Sequence, residues 1–178
     1  MEPKTEKCGA GIACSKPAGI VYLLPMSTIK LKRTDSSNAD FRLLIKELDA
    51  DLRERNGDVM DVYDGHNVIE QIETVVIAYI DDRPAGCGCF KHYNDDSVEI
   101  KRMYVRPDSR GKGISRRILN ELEAWAKSLG FVYVVLETGS KQQEALGLYK
   151  RAGYTNIPSY PPYIGLPDSI CFKKSLSN

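Results

Sequence analysis

Excess charge of one sign, long apolar runs and histidine are all scarce in this 178-residue chain. Lysine and arginine number 25 against 24 acidic residues, a formal net charge of +1. A nucleic-acid or membrane-surface partner would draw on a basic excess, so no nucleic acid and no membrane is expected. No apolar run approaches the roughly 18 residues that a spanning helix needs. Cysteine is present but not as a framework. Cys8, Cys14, Cys87, Cys89 and Cys171 make an odd number without the short, loop-rich context of a secreted disulfide scaffold. Cys87 and Cys89 lie two apart on a strand-like segment and share one face. A metal would need further ligands, and the two histidines, His66 and His92, lack zinc-type spacing. The expectation is no metal, reduced half-buried thiols and a cytoplasmic protein.

What is present fits one globular domain. Hydrophobic residues make up 42% and charged residues 28%, ordinary values for a chain long enough for a single core. Residues 1–25 stand apart, with Lys4, Lys7, Lys16 and closely placed glycines and prolines. Their apolar stretch, residues 19–25, is too short for a signal peptide. They read as a leader, dispensable or preceding a start at Met26, with the domain proper at 26–178.

Along the domain, residues 28–31 alternate as an opening strand. Ser36 and Ser37 are N-cap types, and Asp40 stands at capping-box distance from Ser37. Phe41, Leu44, Ile45, Leu48 and Leu52 then recur at helical spacing as far as Asn56-Gly57. Residues 58–73 read as a polar loop with a short helix. Three strands follow, at 74–80, 85–93 and 97–105, joined by turns at 81–84 and 94–96. Ile114, Ile118, Leu122, Trp125 and Leu129 mark one face of a long helix closed by Gly130. A strand at 131–137, a helix at 142–152 and strands at 154–157 and 170–176 complete an α/β (α+β) domain with a mixed sheet.

The chemistry is concentrated where the strand 97–105 runs into the long helix. Gly111 and Gly113 permit a tight turn, so consecutive backbone N–H groups can face inward. The helix that follows adds unpaired N–H groups and the positive end of its dipole. Together they form a cradle for a phosphate or diphosphate, with Arg110, Lys112, Arg116 and Arg117 around it. A Walker A loop would need Ser or Thr after Gly111-Lys112, where Gly113 stands. A dinucleotide fingerprint would need a third glycine where Arg116 stands, and a parallel unit before it.

The segment Arg110-x-x-Gly113-x-Ser115 resembles the cofactor loop of the GCN5-related N-acetyltransferase (GNAT) family, written Q or R-x-x-G-x-G or A. Gln142-x-x-Ala145-x-x-x-Tyr149-x-x-x-Gly153-Tyr154 is similar to that family's second cofactor motif, with Gln142 where asparagine is usual. The resemblance runs from about residue 28 to 176. It implies a mostly antiparallel mixed sheet flanked by helices and splayed between its fourth and fifth strands. It implies acetyl-CoA as cosubstrate, its pantetheine arm beside Met103, Tyr104 and Val105. The diphosphate would lie on the amides of Gly111, Lys112, Gly113, Ile114, Ser115 and Arg116, with Gln142 nearby.

The implied activity is direct acetyl transfer to the primary amine of a small molecule. The amine must lose a proton and the leaving thiolate can gain one. Tyr149 is the candidate acid, against the alternative of a core tyrosine. Glu99 is the candidate base, against a surface ion pair with Lys101 or proton removal by ordered water; Glu137 is a weaker alternative. By strand alternation Glu99, Lys101 and Met103 share one face. The acceptor site, by the same resemblance, falls at 52–72 and 158–168. Tyr160 and Tyr163 could wall it, and Asp58, Asp61, Asp64 and Glu70 could attract a cation. Two other readings stay open: a protein lysine or N-terminal acetyltransferase, and a CoA-binding module without turnover. A homodimer is compatible with any of them.

Overall fold

The computed structural model describes residues 28–56 and 71–177. The expectations for residues 1–25, Cys8, Cys14, His66, Asp58, Asp61, Asp64 and Glu70 lie outside them. The described elements are β1 (Ile29–Thr34), α1 (Ala39–Asn56), β2 (Val75–Ile80), β3 (Arg83–Asn94), β4 (Ser97–Val105), a 3₁₀ turn (Pro107–Ser109), α2 (Ile114–Ser128), β5 (Tyr133–Gly139), α3 (Gln143–Arg151), β6 (Thr155–Ile157) and β7 (Ser169–Ser175). No helix among the described residues is long and apolar enough to cross a membrane.

The strands form one seven-stranded sheet in the order β1-β2-β3-β4-β5-β7-β6. All pairs are antiparallel except β4 with β5. One face carries α2 and α3 over a core that includes Val98, Ile100, Ile118, Leu122, Leu136 and Phe172. The other carries α1 over Val75, Ile77, Cys87, Cys89 and Tyr104. Cys87 and Cys89 are fully buried rather than half-buried, because α1 covers their face completely.

Local chemistry sets most element ends. Asp81 and Asp82 have φ of 49° and 61°, the two positive values of a two-residue hairpin loop. The β2–β3 turn is therefore shorter than the 81–84 expected. Arg83 and Pro84 already belong to β3, and Pro84 is tolerated because pairing with β4 starts only at Gly86. The N-cap of α1 is Asn38, neither Ser36 nor Ser37. Its Oδ1 accepts from the amides of Asp40 at 2.9 Å and Phe41 at 3.3 Å. Ser36 instead exchanges hydrogen bonds with Ile72, its Oγ accepting from the Ile72 amide at 3.0 Å. Leu129 leaves the buried face of α2 and is 55% exposed. The helix has ended by then, with Gly130 at φ 94° and the Phe131 amide donating back to the Ala126 carbonyl.

Two features of β4 shape the site. The first is the split: β4 pairs with β5 only over Ser97–Ile100 against Tyr133–Leu136. Beyond Ile100 the strands part, β4 following β3 and β5 following β7. The second is a bulge. Gly88 of β3 faces both Arg102 and Met103, and Arg102 has φ 60°. The extra residue inverts the alternation. Glu99 and Lys101 stay on one face, whereas Met103 turns to the α2 side and packs against the core there. A Cβ on Gly88 would stand 2.5 Å from the Met103 Sδ, so only glycine leaves room for that crossing. The expected shared face of Glu99, Lys101 and Met103 is thus broken at Met103.

Candidate active site

The split opens into a cleft lined by Met103, Tyr104 and Val105 of β4, Arg110 and Ser115 of the loop and α2, Gln142, Ala145, Leu148 and Tyr149 around α3, and Leu48, Asp51 and Leu52 of α1. On its inner side the cleft continues past Lys101, Glu137, Thr138 and Tyr163. Tyr149, Met103 and Gln142 line both parts. Residues that the sequence singled out in separate parts of the chain, from Met103 to Ser115, at Glu137, from Gln142 to Tyr149 and at Tyr163, therefore converge on one cavity.

At the outer end lies the cradle. Gly111 and Gly113 have φ of 78° and 74°, a conformation that costs other residues about 1–2 kcal/mol. Gly113 caps α2 without any side-chain hydrogen bond, and the first helical bond runs from the Arg117 amide to the Gly113 carbonyl. The amides ahead of Arg117 are left for an external acceptor. A Cβ at either glycine would meet nothing within 4 Å, so backbone conformation and not crowding calls for glycine there. These features suit a phosphate. Ile114 contributes only its backbone, since its side chain is buried in the core. The Lys112 ammonium donates to the Asp108 carbonyl and the Arg116 Nε to Asn120 Oδ1, and neither side chain lines the cleft.

Tyr149 stands where the two parts of the cleft meet. Its ring is buried, edge-on to Tyr154 at 5.7 Å and tilted against Phe172 at 6.0 Å. The helix cap fixes it further: the Tyr154 amide donates to the Tyr149 carbonyl while Gly153 takes φ 87°. The hydroxyl has no hydrogen-bond partner among the described residues. Burial, and then the nearby Glu137 carboxylate, push its pKa above the usual phenol value. It remains a proton donor throughout the neutral range.

The two carboxylates differ. Glu99 is enclosed: its Oε1 accepts from the hydroxyls of Tyr160 at 3.0 Å and Tyr163 at 2.9 Å, and Lys101 lies 3.5 Å from its Oε2. It does not line the cleft. Tyr160 and Tyr163 are themselves buried, their pKa values raised by burial and then by Glu99. Tyr163 reaches the inner cleft and Tyr160 does not. Glu137, at the free end of β5, does line the cleft. Ser169 donates to one of its oxygens, and its pKa is raised, chiefly by burial. Glu137 was the weaker alternative base in the sequence; the split makes it face Tyr149's cavity. Gln142 accepts from the Thr138 hydroxyl at 3.2 Å, which ties the start of α3 to β5.

The chain is similar to known proteins. A family model described as acetyltransferase (GNAT) family matches residues 41–154. An IAA acetyltransferase of Azospirillum brasilense is 35% identical over 92 residues, 51% of this chain and 60% of that protein. Probable N-acetyltransferase 14 of Xenopus tropicalis is 34% identical over 101 residues, 56% of this chain and 48% of that one. The aligned part thus spans about half of these relatives. Among solved structures, a candidate acyl-CoA N-acyltransferase of Klebsiella pneumoniae is 28% identical with a TM-score of 0.67, covering 84% of this chain and 98% of that one. A Bacillus subtilis acetyltransferase in complex with CoA has the same fold, with 19% identity, a TM-score of 0.61 and coverage of 84% and 100%.

Proposed function

The chain belongs to the acetyltransferase (GNAT) family, and from that premise we propose that it transfers the acetyl group of acetyl-CoA directly to the primary amine of a small molecule. The observation that carries the reading is the split itself. Where β4 and β5 part, β4 is unpaired on one side and leads straight into an uncapped helix start with two left-handed glycines. An extended pantetheine arm would meet Met103, Tyr104 and Val105, and a diphosphate the amides of 111–116. Arg110, Ser115 and Gln142 complete that side. When bound there, acetyl-CoA supplies an acetyl group activated as a thioester.

The residues of the chain have three tasks. Placement is the first: holding an amine in line with the acetyl carbon replaces a bimolecular encounter. The second is proton removal, since an alkylamine with a pKa of about 10 arrives as ammonium. Glu137 takes that proton in this proposal, because it faces the cavity with one oxygen unclaimed and its raised pKa makes it a better acceptor than an ordinary carboxylate. Glu99, held by two phenols and Lys101, positions Tyr163 and Lys101 instead. The third is proton delivery, for which Tyr149 keeps its proton and offers it to the departing sulfur. Tyr163, with its hydroxyl locked on Glu99, closes the acceptor side, which favours a small acceptor over a polypeptide.

The experiment is a thiol-release screen with acetyl-CoA across amines, amino acids, polyamines, aminoglycosides and peptides. Release of CoA with a small amine, and a CoA titration that saturates, is the expected result. Tight CoA binding with no turnover on any amine would favour the module without catalysis, and turnover confined to peptides would move the acceptor to protein.

A further inference from the structure

We infer that Arg55 is a second cationic ligand for the anionic part of the cofactor, delivered from α1 and held in readiness by Asp51. The inference rests on the acetyl-CoA reading above. It starts from the way α1 is fixed to β4. Arg106 holds Glu47 through two hydrogen bonds of 2.8 and 2.5 Å, and Arg102, with its side chain 8% exposed, holds Asp49 at 2.6 Å. These inner pairs set the rotation of α1, so that Leu48, Asp51, Leu52 and Arg55, spaced three and four apart, present one stripe to the cleft.

At the outer end of that stripe Asp51 lies between two guanidinium groups. Its Oδ2 is 3.2 Å from Arg55 Nε and 3.6 Å from Arg110 Nη2. Arg55 also reaches across to α3, its Nη1 3.8 Å from Glu144 Oε2. All four side chains line the outer part of the cleft, where Arg55 and Arg110 are the only cations among the described residues, Lys101 and Arg102 lying along the inner part. Lys112 and Arg116, the other basic residues of the loop, are turned to Asp108 and Asn120. The positive charge at the outer end of the cleft thus comes from Arg110 and Arg55, one on each side of a single carboxylate.

The contacts differ in strength in a way that fits this role. The outer pairs are longer than the inner ones and stand in solvent, Arg110 40%, Arg55 35% and Glu144 77% exposed. Pairs of that kind contribute little and exchange readily. A diphosphate offers charge-assisted, bidentate acceptors to the same guanidiniums and competes well for them. Asp51 is then a positioning residue, keeping both cations pointed at the cavity before ligand arrives.

Isothermal titration of the full chain with CoA, and separately with pantetheine, which carries no phosphate, tests the inference. Arg55→Gln is expected to weaken CoA about tenfold and to leave pantetheine and the melting temperature unchanged. Arg55→Lys should recover part of the loss, and the gap should narrow near 1 M salt, where the screening length is about 3 Å. Equal losses for CoA and pantetheine, or no loss for CoA, would overturn the role of Arg55 while leaving the proposed function standing. If the wild-type chain takes up no CoA, the cofactor reading and this inference fall together.

Discussion

Replacing Tyr149 by Phe isolates one hydroxyl from everything else the residue does. The ring keeps its contacts with Tyr154 and Phe172, since both are made by carbon atoms. The hydroxyl has no partner among the described residues, so its removal orphans no buried group. Stability should therefore change by less than about 0.5 kcal/mol, and the melting temperature by less than about 2 °C. Turnover should respond differently. A positioned acid contributes roughly 10²- to 10⁴-fold. The leaving thiol resembles cysteine, with a pKa of about 8.5, so its thiolate departs tolerably without help and the low end applies. We expect kcat to fall about 100-fold, or ~2.7 kcal/mol of barrier, while CoA affinity stays within about twofold. Because burial raises the Tyr149 pKa, no alkaline limb from this group should appear in the wild-type profile below about pH 10. Thiol release at saturating acetyl-CoA, calorimetry with CoA and a thermal melt read the three quantities. A kcat within threefold of wild type would remove Tyr149 from proton transfer, and a large loss of stability would make it a packing residue.

Further outcomes follow from other contacts. Glu137→Gln should abolish most turnover and erase the acid limb of kcat/KM, which in the wild type should lie above the ordinary carboxylate range because burial raises this pKa. The linkage sign is that of a raised pKa: relative to the unfolded chain the native state gains below the unfolded value and loses as pH rises through the folded one. Chemical denaturation at neutral pH should accordingly find Glu137→Gln no less stable than wild type. Asn38→Ala should cost about 1 kcal/mol in urea unfolding, since it removes the acceptor for two amides of α1; Ser37→Ala, which removes no cap, should cost far less. In the native protein Cys87 and Cys89 should resist a thiol reagent, read peptide by peptide by mass spectrometry, because burial pushes the Cys89 thiol up to about 12 and both side chains are fully enclosed. Labelling of either at the rate of a free thiol would contradict the packing of α1.

Much of the site was legible because its determinants are local. The left-handed glycines, the bare helix start and the Gly-Tyr cap behind Tyr149 depend on neighbours in sequence, and their spacing announces them. So does the order of strands and helices, which follows from alternation and helical periodicity, down to β4 beginning at Ser97 and ending at Val105. The N-cap of α1 was misplaced by one or two residues because serine and asparagine compete for that position on nearly equal terms. What the sequence alone could not reveal is which partner each side chain takes across the sheet. Nothing near Glu99 in the sequence announces that Tyr160 and Tyr163, some sixty residues on, donate to its carboxylate. Met103 looked like its neighbour until the bulge at Arg102, made possible by Gly88 on another strand, turned it to the opposite face. Glu137, a weaker alternative in the sequence, gained its place on the cavity when β4 parted from β5, and Arg55 became a candidate only when α1 was fixed beside the opening. Backbone conformation is decided within a few residues, whereas charge pairing and access to a cavity are decided by contacts that close only in the folded chain.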